Sequence, residues 1–379
     1  MVRPLRPLAT LLVLTGCGSS TAPGGDPPPV LTELPRTLSA SEVRIVEGAN
    51  AFAFDLLREA TRELASDSNV FLSPLSASMA LGMALNGANG ETWSAMRRTL
   101  RLEGMEEAEI DRGYRDLVRL LRGLDSRTEM RVANSMWADA SLPVEPAFIE
   151  AGRSFFDAEI ASLDFGSPEA LPTINGWVGR ATGDRIPRLL EEISGDEVLF
   201  LVNAIYFKGT WRTAFDPGET REAPFHAADG RDRSAHLMSL KDELRYAETE
   251  AYQAVDLPYG NGAFAMTVLL PRAGWTPAQL LAQLDAERWI ELTSRFAERE
   301  LVLTLPRFRL EYGRKLKDDL RALGMDLAFQ ASADFYRIAD VAPDRLYLTR
   351  VDQKTFVEVN EAGTEAAAAT AVGVGRTSV

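Results

Sequence analysis

Apolar residues along this chain follow two different rhythms. In the first half they recur at helical spacing. Residues 49–64 place Phe52, Leu56, Leu57 and Leu64 near one face, and residues 76–86 carry Met79, Met83 and Leu85. The run Asn86-Gly87-Ala88-Asn89-Gly90 reads as a helix stop and turn, with Thr92 placed to cap the next helix. Helical spacing returns over 107–124, 145–156 and 171–181. The second half changes to strands. Val198 to Phe207 is almost continuously apolar, the pattern of a central strand covered on both faces. Residues 254–258 and 263–270 flank Tyr259-Gly260-Asn261-Gly262, a hairpin signal. Further strands are predicted over 301–305, 347–351 and 356–359. Helices first and long strands later predict an α+β fold built on a large mixed sheet.

Composition narrows the functional classes. The chain has 379 residues, 46% hydrophobic and 25% charged, which is ordinary for a globular protein. No linker-like stretch or repeat divides residues 41–379, so one large domain is expected there. Acids outnumber bases 55 to 41 for a net charge of −14, which argues against a nucleic-acid-binding surface. One cysteine and two histidines exclude an intrachain disulfide, a zinc finger and any Cys/His metal cluster. A Ser-His-Asp triad would need His226 or His236, and both flank an Asp/Arg/Gly turn as exposed strand-end residues. Gly260-Asn261-Gly262-Ala263-Phe264-Ala265 matches a dinucleotide fingerprint by letter, but it lies between two strands where that chemistry needs a helix N-terminus. Gly375-Arg376-Thr377-Ser378 lacks the earlier glycine and the lysine of a phosphate loop. No G-x-S-x-G or S-x-x-K motif occurs. The inventory predicts no enzyme, no metal and no cofactor.

The N-terminus reads as an address. Residues 1–16 place Arg3 and Arg6 before an apolar segment too short to span a bilayer, the pattern of a signal peptide. Leu14-Thr15-Gly16-Cys17 resembles a bacterial lipobox, which implies lipidation at Cys17; an ordinary signal with a chance cysteine is the alternative. Residues 17–40 open on a Gly/Ser/Thr/Ala/Pro-rich stretch and read as a flexible tether. The expected location is secreted, extracellular or periplasmic, with the membrane reached through the lipid alone.

The C-terminal stretch, residues 360–379, carries the most information. Read with period two, one face is Thr364, Ala366, Ala368, Thr370, Val372 and Val374, all small or β-branched. The other is Gly363, Glu365, Ala367, Ala369, Ala371, Gly373 and Gly375, with its only charge expected to point away from the sheet. No proline interrupts 361–379, so the segment can enter a sheet as a strand with every N–H available to a ladder. A flexible Ala/Gly tail and a short Ala-rich helix compete with that reading, and composition alone favours them.

Residues 361–370, Glu-Ala-Gly-Thr-Glu-Ala-Ala-Ala-Ala-Thr, resemble the hinge of the serpins, protease inhibitors whose reactive loop inserts into their own main sheet. Asn69-Val70-Phe71-Leu72-Ser73-Pro74-Leu75-Ser76, Asn86 to Thr92, Ala133-Asn134-Ser135 and Ile174 to Val178 resemble family motifs in the family's order. So do Val202 to Trp211, Leu257-Pro258-Tyr259, Leu305 to Phe308, Leu323-Gly324-Met325 and Ala333-Asp334-Phe335.

The resemblance implies a serpin-like fold and a suicide-substrate inhibitor of serine-type endopeptidases. Cleavage of the loop forms an acyl-enzyme, and insertion of the severed loop then distorts the trapped protease. It further implies a hinge of Glu361, Gly363, Thr364, Ala366, Ala367, Ala368, Ala369 and Thr370, with Thr364 entering first. The sheet-opening cluster would contain Ser73, Ser76, Asn203 and Gln353, with Trp211 near the point of loop entry. Gln353 stands where the family usually has histidine, so pH-gated opening is not expected. Loop length places the reactive bond at Thr377–Ser378, suited to elastase- or subtilisin-like proteases; Arg376–Thr377, suited to trypsin-like ones, is the alternative. A monomer is expected. A noninhibitory serpin-like binding or chaperone module is the competing function, and the small-residue hinge weighs against it. Serpins continue a few dozen residues past the reactive bond with strands absent from residues 1–379. A chain ending at Val379 is therefore expected to be the larger piece of a loop-cleaved molecule or truncated, and not to inhibit alone.

Overall fold

The computed structural model describes residues 30–63, 68–227 and 230–377. The predicted signal peptide, Cys17, Leu64 and Ser378 lie outside the described residues. The first helix, α1 (Ala40–Thr61), begins nine residues earlier than its apolar spacing suggested. Ser39 and Glu42 close a capping box at its start, and Arg36 grips the Glu42 carboxylate with both guanidinium nitrogens. Ahead of it the Leu31 N–H donates to the Asn261 carbonyl, so the end of the predicted tether already touches the body.

Four further predicted helices form close to their expected bounds: α2 (Pro74–Leu85), α4 (Glu107–Gly123), α5 (Pro146–Phe156) and α6 (Ala170–Ala181). Between them, α3 (Gly90–Thr99) follows the predicted turn. Thr92 does not cap it; its hydroxyl lies inside the helix and accepts the Asp334 N–H at 3.0 Å. Two short helices, α7 (Pro277–Gln283) and α8 (Ala286–Ser294), come later.

The larger sheet has six strands in the order β2-β1-β3-β11-β10-β9. These are β1 (Thr128–Asp139), β2 (Ala158–Leu163), β3 (Glu197–Thr210), β9 (Phe308–Lys315), β10 (Leu346–Val359) and β11 (Gly363–Arg376). Among the described residues of this sheet, only β1 and β2 pair in parallel. A five-stranded sheet comprises β4 (Arg221–His226), β5 (Asp232–Glu248), β6 (Tyr252–Pro258), β7 (Ala265–Pro271) and β8 (Ala297–Pro306). The predicted hairpin joins β6 to β7, with Gly260 and Gly262 both at positive φ. His226 ends β4 and His236 lies within β5, both exposed.

Sequence patterning divided β10 into two strands because Asp352, Gln353 and Lys354 interrupt its apolar run. Each finds a partner that keeps the ladder intact: Asp352 meets Arg350, Lys354 meets Glu191, and Gln353 turns inward. The larger sheet is covered on both faces. Helix α2 and its neighbours pack on one side with Leu199, Leu201, Val372 and Val374. Trp177 and Val178 of α6, with Leu190, pack on the other against Phe200, Tyr206, Ala367, Ala369 and Ala371.

Candidate functional site: the central strand and its polar row

The C-terminal stretch is neither tail nor helix. Residues 363–376 lie between β3 and β10, antiparallel to both, in register from Gly363–Thr210 to Gly375–Glu197 and from Thr364–Val359 to Arg376–Leu346. A strand flanked on both sides has its backbone donors and acceptors met by the two ladders. Bulges at Val374/Gly375 and Leu348/Arg350 interrupt the regularity near one end.

Two glycines are required by close approach. A Cβ on Gly363 would lie 2.1 Å from the Gly209 carbonyl oxygen. One on Gly373 would lie 2.8 Å from a Glu197 carboxylate oxygen. That carboxylate is buried and held by Arg350 through two bonds of 2.6 and 2.7 Å, so an ion pair passes directly over the strand.

The face expected to point away is also covered. Ala367, Ala369 and Ala371 are buried on the α6 side. Glu365 is likewise drawn in. Both its oxygens meet Arg185, at 2.9 and 2.5 Å, and the Tyr206 hydroxyl donates to Oε1 at 2.7 Å. The Arg185 bonds hold the Glu365 carboxyl below its ordinary pKa. Burial, reinforced by Glu365, pushes Tyr206 up to about 12.

A polar row crosses the middle of the sheet. Asn134, Asn203, Thr370 and Gln353 stand opposite one another on four successive strands, and all four are buried. Gln353 Nε2 donates to Thr370 Oγ1 and to the Ser73 carbonyl, each at 2.9 Å, while Gln353 Oε1 accepts the Ser73 N–H. Ser76 Oγ lies 2.9 Å from Thr370 Oγ1. Ser73 caps α2, its hydroxyl accepting the Ser76 N–H. Ser73, Ser76 and Gln353 therefore converge on the central strand. Asn203 does not join them. It donates to Asn134 Oδ1 at 2.9 Å and leans on Met79, one strand away.

Trp211 sits at the far end of the strand, where Glu361 and Ala362 lead into it. Its indole N–H donates to the Asn360 carbonyl at 2.8 Å, and its ring stacks on Tyr259 with centroids 4.5 Å apart. Tyr259 then donates to Thr364 Oγ1 at 2.7 Å. Glu361 accepts from Thr220 at 2.7 Å, a bond that lowers its pKa. At the other end Arg376 pairs with Asp344, and Thr377 exchanges two bonds with the Arg345 backbone.

Sequence reasoning missed Arg185, Tyr206 and Tyr259 as contacts of the strand. Tyr206 and Tyr259 lie inside quoted motifs, but their partners are more than 100 residues away. No local pattern announces Arg185.

A family model described as Serpin (serine protease inhibitor) matches residues 47–378. Iripin-2 of Ixodes ricinus is 34% identical over 338 residues, covering 87% of this chain and 84% of that protein. The leukocyte elastase inhibitor of Bos taurus is 34% identical over 331 residues, covering 84% and 86%. A solved structure described as cleaved Serpin 42Da superposes with a TM-score of 0.82 at 29% identity, covering 88% of this chain and 91% of its own. The hinge motif, the two-sheet architecture and these matches agree, and the chain belongs to the serpin family.

Proposed function

We propose that this serpin inhibits serine-type endopeptidases as a suicide substrate. The observation that carries the reading is the central strand itself: residues 363–376 occupy the middle of the larger sheet with only Gly, Ala, Thr and Val between Glu365 and Arg376. Small side chains pass between two covered faces without displacing core residues, so insertion can outrun hydrolysis of the acyl-enzyme. The hinge is Glu361 to Thr370. Ser73, Ser76 and Gln353 receive Thr370 as the sheet opens around it, Asn203 supports the neighbouring strand, and Trp211 with Tyr259 marks the entry of Thr364.

The reactive bond is Thr377–Ser378, with Arg376–Thr377 as the alternative. A small residue before the bond suits elastase- or subtilisin-like enzymes, and arginine there suits trypsin-like ones. The protein acts as a monomer, held at a membrane surface by lipid on Cys17.

The test is a denaturing mass determination on protein from the natural gene, before and after challenge with an elastase-like and a trypsin-like protease. The expected result is a covalent protease–inhibitor adduct and a released peptide beginning at Ser378. A peptide beginning at Thr377 moves the reactive bond by one residue. Cleavage without any adduct overturns the inhibitory reading and favours the noninhibitory one.

A further inference from the structure

The far end of β11 is fitted to the sheet differently from the rest. Ala367, Ala369 and Ala371 carry their methyl groups into the core on the α6 side, yet the next two positions in that alternation, 373 and 375, are glycine. Both neighbouring strands bulge at this level. The ladder with β10 skips Thr349, passing from Arg350–Gly373 to Leu348–Val374. The ladder with β3 skips Val198, passing from Leu199–Val374 to Glu197–Gly375.

A bulge re-aims a side chain, and here it sends Thr349 over both glycines. A Cβ on Gly373 would lie 2.6 Å from Thr349 Oγ1, and one on Gly375 would lie 2.5 Å from Thr349 Cγ2. Thr349 has little freedom to yield. Its side chain is β-branched, and its hydroxyl donates to Glu197 Oε1 at 2.8 Å. The same buried carboxylate accepts the Ser194 N–H at 2.8 Å, besides its two bonds from Arg350.

We propose that Thr349 is a positioning residue, a tooth seated over Gly373 and Gly375 that fixes how far β11 enters the sheet. With the inhibitory reading above as its premise, the tooth also fixes where the acylated Thr377 comes to rest. A slip of one residue puts Val372 or Val374 under the tooth and turns the valine face towards α6. A slip of two residues deeper brings Ala371 to the place of Gly373, its methyl against Thr349 Oγ1 and Glu197 Oε1. A slip of two residues shallower brings Thr377 to the place of Gly375, its Cβ against Thr349 Cγ2. Gly-Val-Gly, bracketed by Ala371 and Thr377, therefore fits in one register. Each slip of two would move the strand end, and any enzyme carried on it, by about 7 Å. In the register observed, the Arg376 N–H reaches the Asp196 carbonyl at 2.8 Å.

The test uses protein from the natural gene as the parent, Gly373→Ala and Gly375→Ala, each with and without Thr349→Ser. Serine keeps the hydroxyl that bonds Glu197 and lacks Cγ2. Two quantities are read: the melting temperature of the uncut and loop-cut forms, and the fraction of cut inhibitor recovered as covalent adduct. Glycine weakens an ordinary strand, so alanine there would normally raise the melting temperature. The tooth predicts the opposite sign: each alanine lowers the melting temperature of the loop-cut form by at least about 2 °C and the adduct fraction at least about twofold, leaving the uncut form unchanged. Thr349→Ser restores most of the loss in Gly375→Ala, where only the Asp196 oxygens remain close, at 3.2 Å, and none in Gly373→Ala, where Oγ1 remains. A merely structural defect would lower both forms and show no such selectivity. Unchanged or raised melting of both cut alanine variants, or equal rescue at the two positions, overturns the proposal. A parent that yields no adduct sinks the inhibitory reading, and the melts of the cut forms then uphold or overturn the tooth by the same pattern.

Discussion

Strands β3 and β11 lie side by side, both buried on both faces, yet their compositions are opposites. From Glu197 to Thr210, β3 carries Leu199, Phe200, Leu201, Tyr206 and Phe207; β11 carries alanine, glycine, threonine and valine around one glutamate, with Arg376 as its last residue. The bulky residues of β3 fill the space beneath α2 and α6, so little volume remains over its neighbour. What holds β11 is therefore chiefly its two ladders and a few polar anchors: Glu365 on Arg185, Thr370 on Gln353, and Thr364 on Tyr259. One strand builds the core and the other occupies a slot in it.

The contrast is broken most severely by a charge in the slot. Ala369 is fully buried opposite Ala204. Ala369→Glu strands a carboxylate there and is expected to cost the inserted form more than about 4 kcal/mol, read as a fall in urea midpoint. An unchanged midpoint contradicts the burial of β11. Next comes a cavity in the builder strand. Phe200→Ala is expected to cost about 3–5 kcal/mol whether or not β11 is inserted, a state-independence that thermal melts before and after loop cleavage can check.

The anchors give smaller effects. Thr370→Val leaves the Ser76 hydroxyl without its partner and is expected to cost about 1–2 kcal/mol in the inserted form only. Glu365→Gln should cost about 1 kcal/mol, since Arg185 is 36% open to water. That loss has a definite pH dependence. The Glu365 pKa is lowered, so its contribution is present above the ordinary carboxylate range and disappears as pH falls through the lowered value. Melts of Glu365→Gln and the parent protein should therefore converge in acid and separate towards neutrality.

Much of this was legible in the chain. Helical spacing located α2, α4, α5 and α6, and the continuous run 198–207 marked β3, because a strand covered on both faces has no polar side to reveal. The absence of proline and bulk from 361–379 allowed the slot strand, but its identity came from a motif, since composition favoured a tail. β1 and β5 were invisible because they mix buried and exposed positions with internal polar residues such as Asn134 and Ser135. The inward turn of Glu365 was misread for a related reason. Period-two alternation sorts faces correctly but assumes that one is wet, and α6 covers the face assumed wet here.

The most direct test of a slot strand is hydrogen–deuterium exchange over residues 363–376 in protein from the natural gene, before and after cleavage of the reactive bond. The account predicts rapid exchange in the uncut loop, then protection after cleavage approaching that of β3 and β10. Unchanged exchange on cleavage, or equal protection before it, would contradict the claim that this strand enters the sheet when the loop is cut.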